Sequence, residues 1–277
     1  ARYQWLKAGP PRISVANVFW KVSRLSMSTA GRLSKGMRIG YKSGFSSGQM
    51  LDYVYQNKPR GWTPFGKLID YFFLNSIGWV CIRQRRKHLQ SLLKDALAMT
   101  KAKKVADIAG GPGRYMLDVL KEHTDPELRA VVRDRDENGL DEGRSLASQQ
   151  GESRITYQSG DAFDSTEVAS LGPLDVAIVS GLYELFPDNE PVARSLAGLA
   201  EAVKPGGYLI YTNQPYHPTL ELIAETLHHA GGQRWAMRCR STAEMDALVS
   251  EAGFEKCRSL IDRHGIFSVS LARRLSP

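Results

Sequence analysis

The sequence predicts an α/β fold: a doubly wound, seven-stranded sheet ending in a C-terminal antiparallel hairpin, preceded by a mostly helical, basic N-terminal extension. Three observations carry this. From Val105 onward, short apolar runs alternate with stretches of helical period, the pattern of a parallel sheet with crossover helices. The last two runs, FEKCRSL (254–260) and IFSVSLARR (266–274), are joined only by IDRHG, too short for a crossover, so they must pair as a hairpin. Finally, charge switches sharply along the chain. Residues 1–104 hold 20 Lys and Arg against three acids, a balance of +17, whereas residues 105–277 balance at −9.

The elements follow in order. Residues 1–48 read as a basic arm or linker of Gly, Ser, Lys and Arg, with short apolar clusters such as VANVFW and room for one short helix. Residues 49–104 read as a helical extension. QMLDYVYQN is short and amphipathic, KPRGW is a turn, and Leu89, Leu92, Leu93 and Leu97 recur at helical spacing. The apolar run Leu68–Ile82 contains Asp70, Asn75 and Gly78. It falls short of the roughly twenty residues that a bilayer span needs. It either packs on the main domain as a lid or lies on a membrane surface with its Arg/Lys flank. Tyr41, Phe45, Tyr53 and Tyr55 upstream are either helix packing or part of such a lid.

From 105 to 277 one domain is expected. Its strands are KVADIA (104–109), RAVVRD (129–134), RITYQS (154–159), LDVAIVS (174–180) and GYLIYT (207–212). Its helices cover Arg114–Glu122, Asn138–Gln149, Pro191–Val203, Pro218–Ala230 and Thr242–Ala252. Three widely spaced cysteines without a CxxC pair support neither a disulfide framework nor a zinc site. The same cysteine set suits a reducing, cytoplasmic compartment, and a start without methionine or a signal-peptide pattern suits either a piece cut from a longer protein or a simply trimmed chain.

The stretch VADIAGGPGRYM (105–116) carries the chemistry. A strand ends near Asp107, a bare turn follows, and Arg114 opens a helix. Ligands of open α/β sheets bind beyond the strand ends, and glycines let them approach the backbone closely. The dinucleotide pattern GxGxxG fails, because its third glycine falls on Met116 or Arg114. The spacing that fits is acid-x-small-x-Gly-x-Gly: Asp107, Ala109, Gly111, Gly113. An acid just before the turn repels a pyrophosphate and suits a ligand with an amino group.

This turn resembles the first motif of the class I S-adenosylmethionine-dependent methyltransferases, which have a Rossmann-like fold. The resemblance implies that Asp107 holds the amino acid end of the cofactor, while Ala109 (in place of the usual first glycine), Gly110, Gly111 and Gly113 wrap its methionine and ribose part. Three later segments agree. RAVVRDRDENG ends in an acid about twenty residues on, which makes Asp134 the ribose ligand and leaves Asp136 as a helix-start residue. QSGDAFD is similar to the segment that meets the adenine, implying Asp161, Ala162 and Phe163, although Asp161 also suits a helix N-cap. EAVKPGGYLIYT and STAEMDALVSEAGF are similar to the fifth strand and the helix before the terminal hairpin.

A narrower resemblance lies in LDYVYQNKPRGWTPFGKLID, SGLYELFPDN and AGLAEAVKPGGYLIYTNQPYHP. These are similar to a bacterial methyltransferase family often found C-terminal to lysophospholipase-like α/β-hydrolases, which implies one module of a larger, bifunctional protein. Methyl transfer is an in-line displacement, in which alignment alone contributes roughly 7–11 kcal/mol. Ser180 and Gly181, after the fourth strand, are expected beside the cofactor. Tyr183, Glu184 and His217 are the candidate catalytic residues. The alternatives are that Tyr183 packs over the cofactor, Glu184 is a surface or helix N-terminal charge and His217 caps or braces its proline-bounded turn. No metal is expected.

Three functions compete. The favoured one is methylation of a small-molecule or lipid-linked acceptor, with the protein cytoplasmic or peripheral on the anionic inner face of the membrane. The basic extension also suits an RNA methyltransferase, although no RNA-binding module is recognisable. The third is a non-catalytic S-adenosylmethionine-binding or membrane-interaction module.

Overall fold

The computed structural model describes residues 2–11, 13–228 and 234–276. The chain divides into two units, Ala1–Arg83 with His217–Arg238, and Gln84–Tyr216 with Cys239–Pro277.

In the first unit, serine caps start the helices. Ser14 accepts from the Asn17 amide to open α2 (Val15–Ser28), after a short α1 (Arg2–Ala8). Ser34 accepts from Met37 to open α3 (Lys35–Ser43), and Ser47 accepts from Met50 to open α4 (Gly48–Gln56). Thr63 and Pro64 start α5 (Pro64–Leu74), and Ile77 starts the long α6 (Ile77–Thr100), which runs on into the second unit. The stretch expected to hold one short helix therefore carries three, with a 3-10 turn at Ala30–Leu33. Phe45 and Tyr53 are buried, and Tyr41 meets Phe45 edge-on with ring centroids 5.4 Å apart, so these aromatics serve as packing within this unit.

Asp70, the lone acid of α5, is fully buried. Its carboxylate accepts from the amides of Gly36 (2.8 Å) and Arg60 (2.7 Å) and from the hydroxyls of Ser34 and Tyr53. Burial and this carboxylate push the Tyr53 phenol well above its ordinary range.

The second unit is the sheet. β1 (Lys104–Ile108), α7 (Arg114–Glu122), β2 (Arg129–Asp134), α8 (Glu137–Gln150), β3 (Ile155–Ser159), α9 (Ser165–Ala169), β4 (Leu174–Val179), α10 (Asn189–Ala202) and β5 (Val203–Asn213) alternate as expected. The chain then passes through the first unit, where α11 (Leu220–Thr226) is shorter than the Pro218–Ala230 helix expected. Residues 229 and 230 of that expectation lie outside the described residues. It returns as α12 (Thr242–Glu251), β6 (Phe254–Ile261) and β7 (Ser268–Arg274).

The strand order is β3-β2-β1-β4-β5-β7-β6. The first five strands are parallel, and β7 runs antiparallel to both β5 and β6. Period two sends alternate residues to two apolar layers. Val105, Val132, Val176 and Ile178 join Leu89, Leu92, Leu93 and Leu97 of α6 on one face. Ala106, Ile108, Ala177 and Val179 meet α10 and α12 on the other.

Candidate active site

After β1 the chain winds first to one side (β2, β3) and then to the other (β4, β5). The C-terminal end of β1 is therefore the switch point where such sheets bind ligands. Asp107 sits on this strand, on the face that Val105 shares with an apolar layer. It is wholly enclosed, and the Tyr115 hydroxyl is the donor nearest its carboxylate, short of ideal hydrogen-bond geometry. Burial pushes its pKa up from 3.8 to about 7; the nearby Tyr115 hydroxyl holds it back and the Asp134 charge adds to it.

The turn that follows is left-handed at Ala109 (φ 57°), Gly111 (φ 55°) and Gly113 (φ 64°). A side chain at Gly110 would come within 2.4 Å of the Asp107 Oδ2, so the carboxylate lies directly behind the bare backbone. At Gly111 a side chain would meet nothing within 4 Å, so the turn is open there. Gly113 precedes α7 and offers no capping side chain, so the helix N-terminus meets the turn with bare backbone.

Alanine at 109 thus occupies a backbone conformation that costs a non-glycine residue about 1–2 kcal/mol. Ala109→Gly should stabilise the protein by about 0.5–1 kcal/mol net, because glycine also loosens the unfolded chain. Urea unfolding tests this, and a destabilised variant would contradict it.

Asp134 ends β2 and clips the turn. Its Oδ2 accepts from the Gly111 amide (2.8 Å) and its Oδ1 from the Asp136 amide (2.9 Å). Asp136 caps α8, as expected of a helix-start residue. Asp161 folds back to accept from the Phe163 amide (2.9 Å), and the cap of α9 is Asp164, not Asp161. Ala162 is buried, and Phe163 meets Phe186 edge-on at 4.5 Å. Asp107 and Asp134 stand at the C-terminal ends of β1 and β2, Ala109–Gly113 on the loop after β1, and Asp161–Phe163 on the loop after β3.

The loop after β4 holds Ser180 and Gly181 (φ 77°). The Gly181 amide donates to Thr212 Oγ1 (2.8 Å), which donates to Glu184 Oε1 (2.6 Å); the Arg85 guanidinium stands 3.8 Å from the same oxygen. Glu184 is buried rather than a surface charge, it stands in the first turn of the 3-10 helix Tyr183–Leu185 as the helix N-terminal alternative expects, and its Oε2 has no hydrogen-bond partner. Tyr183 is a core residue. Its hydroxyl bonds to Ser195 Oγ (2.9 Å), and burial raises its pKa far beyond any acid–base use near neutral pH. His217 belongs to the first unit. It is buried, its Nδ1 accepts from the Thr219 amide (3.2 Å), and its Nε2 faces Gly78, so it braces the start of α11.

Sequence reasoning missed Arg85, Thr212 and Arg240. Arg240 holds the Tyr183–Asp188 loop by donating to the carbonyls of Tyr183 (3.0 Å), Phe186 (3.0 Å) and Asp188 (3.3 Å). Nothing in their local sequence separates these three from surface polar residues, because their partners are distant in the chain.

Comparison with known proteins agrees with this geometry. A family model described as "Putative methyltransferase" matches residues 1–274. The chain is 48% identical over 281 residues to the uncharacterized protein YnbC of Escherichia coli K12, covering 99% of this chain and 48% of that protein. The chain thus spans about half the length of that relative. Among solved structures, a protein from Bordetella parapertussis described as a possible exported protein superposes with TM-score 0.71 at 20% identity, covering 99% of this chain and 94% of its own. Magnesium protoporphyrin IX methyltransferase from Synechocystis PCC 6803, solved with bound S-adenosylhomocysteine, superposes with TM-score 0.59 at 16% identity, covering 92% and 99%. At these identities the structural likeness establishes the fold, and the family match, over nearly the whole chain, establishes membership: the chain belongs to this methyltransferase family.

Proposed function

We propose that the protein is an S-adenosylmethionine-dependent methyltransferase acting on a small-molecule or lipid-linked acceptor, as one module of a longer hydrolase–methyltransferase protein. The observation that carries this reading is the buried carboxylate of Asp107 behind an open, left-handed glycine turn at the sheet's switch point. A buried carboxyl with only the Tyr115 hydroxyl beside it is costly to ionise, and a cationic amino group near the turn would lower that cost. Asp134 and the Asp161–Phe163 segment stand on the next two strand ends, where an acid for a ribose and an edge for an adenine are needed. The neighbour solved with S-adenosylhomocysteine supports the same cofactor, and its small-molecule substrate supports the acceptor class.

S-adenosylmethionine would supply a methyl group on a sulfonium, ready for displacement. The chain's own part is to fix the turn through Asp134, to exclude water and to take a proton when the acceptor is a hydroxyl. Glu184 is the residue we assign to that proton, at its unpartnered Oε2, with Arg85 and Thr212 positioning it through Oε1. Tyr183 and His217 have packing and bracing roles.

Thermal unfolding with S-adenosylmethionine and S-adenosylhomocysteine tests the cofactor. At a hundredfold excess over Kd, binding stabilises by about 2.7 kcal/mol, which raises Tm by roughly 5 °C for a chain of this size. Asp134→Ala should abolish the shift. No shift in the wild-type protein with either ligand would sink the assignment.

A further inference from the structure

We infer that the first unit carries a docking surface for an anionic lipid bilayer, formed by the outward faces of α2 and α5. A surface helix ordinarily turns its apolar stripe inward. Helix α2 buries Trp20 but turns Val15, Val18, Phe19, Val22 and Leu25 outward, each more than half exposed. Their spacing of three, four and seven residues makes one stripe on one side of the helix. Helix α5 repeats the arrangement. Asp70 and Leu74 face inward, while Phe65, Leu68 and Phe72 face outward, with Trp62 76% exposed just before the helix.

Charge selects the occupant. Residues 2–51 contain no acid, and up to Arg83 only Asp52 and the buried Asp70 occur. Lys21, Arg32, Lys58, Arg60 and Lys67 are exposed, and the Arg38 guanidinium stacks on the Trp62 ring at 4.3 Å. A polyanion such as RNA would use these cations but leave the apolar stripes in water. A second copy would bring two like-charged faces together. An anionic bilayer satisfies both features, taking the aromatic and aliphatic side chains at the headgroup boundary and the Lys and Arg side chains among lipid phosphates. No described helix is long and apolar enough to cross a membrane, so both helices would lie in the interface plane.

The inference does not depend on the methyl-transfer reading. Its test is flotation of the full chain with vesicles of phosphatidylglycerol and phosphatidylcholine, beside phosphatidylcholine alone, with circular dichroism as the folding control. The wild-type protein should float with the anionic vesicles only, with a blue shift of tryptophan emission that Trp62→Phe reduces. Lys21→Gln and Lys67→Gln should each weaken binding roughly fivefold at low salt. Phe19→Glu/Val22→Glu and Phe65→Glu/Phe72→Glu should each weaken it by at least about tenfold. If a Glu pair disturbs folding, the milder Phe19→Ser and Phe65→Ser replace it and should also weaken binding.

Four results would overturn the inference: no flotation with anionic vesicles; apolar-face variants that fold and bind like wild type; RNA binding without vesicle binding; or a dimer in solution that the Glu pairs split while vesicles are ignored.

Discussion

Asp107→Asn is expected to stabilise the ligand-free protein and, at the same time, to weaken S-adenosylmethionine binding at least about tenfold. The wild-type carboxyl has a pKa raised by burial from 3.8 to about 7. The folded state therefore holds a proton that the unfolded state releases between those values. Stability from this group is fully present below about pH 4 and is lost as pH rises through about 7. The cost of the buried charge at pH 8 is on the order of 4 kcal/mol, an upper figure that relaxation around the group reduces. Asparagine carries no such charge, so the variant's advantage should be absent near pH 4 and grow towards pH 8.

The same shift gives binding a pH dependence of opposite sense. A cationic ligand favours the ionised carboxylate, so wild-type affinity should rise between pH 6 and 8, with a proton released on binding near pH 6.5. Calorimetry in buffers of different ionisation enthalpy would detect that proton. The variant should bind weakly at every pH and release none. The carboxylate lies behind Gly110, so its action on a ligand is electrostatic, through a low-dielectric layer where charge is felt strongly. An asparagine variant of unchanged affinity and unchanged pH profile would show that the turn, not the acid, recognises the ligand.

Much of the sheet was legible in the sequence because its signals are local. β2 and β4 start where apolar runs start, α7 has the bounds its period predicts, and the five-residue IDRHG link forces the hairpin. β5 begins earlier than its apolar run, at Val203, because the parallel pairing with β4 passes through an irregularity between Leu174 and Val176 before becoming regular. Helix α9 went unseen because five residues show no period, yet Asp164 accepting from Glu167 is an N-cap signal written in DSTE. The N-terminal helices were hidden by Gly- and Ser-rich composition, although Ser14, Ser34 and Ser47 each mark a helix start. The binding turn was legible because its spacing is dictated by backbone geometry. The polar pairs Arg85–Glu184 and Thr212–Glu184 were not, because they join residues that only the folded sheet brings together.

Asp70→Ala is expected to be the most damaging single substitution in the first unit. The carboxylate is fully buried and satisfies four donors from three places in the chain: Ser34 and Gly36 at the start of α3, Tyr53 of α4, and Arg60 in the loop before α5. Ser34 also caps α3 through the Met37 amide, so the hub sets where that helix begins. Hydrogen bonds to a charged group contribute about 1.5–3 kcal/mol each, though not additively. Alanine would leave the buried Gly36 amide, the part-buried Arg60 amide and the Ser34 and Tyr53 hydroxyls without this acceptor, and a loss of about 4 kcal/mol is expected. Asp70→Asn keeps one acceptor oxygen but adds donors that face donors, so it should lose more than half of that amount. Tyr53→Phe removes the bond to Asp70 and the longer contact of the same hydroxyl with the Lys58 carbonyl (3.3 Å), and should cost about 1–2 kcal/mol. Hydrogen exchange of peptides spanning residues 30–75 would localise the effect, with protection falling there first. If Asp70→Ala loses less than about 1 kcal/mol, water or a rearranged side chain has replaced the carboxylate, and the hub does not fix the start of α3.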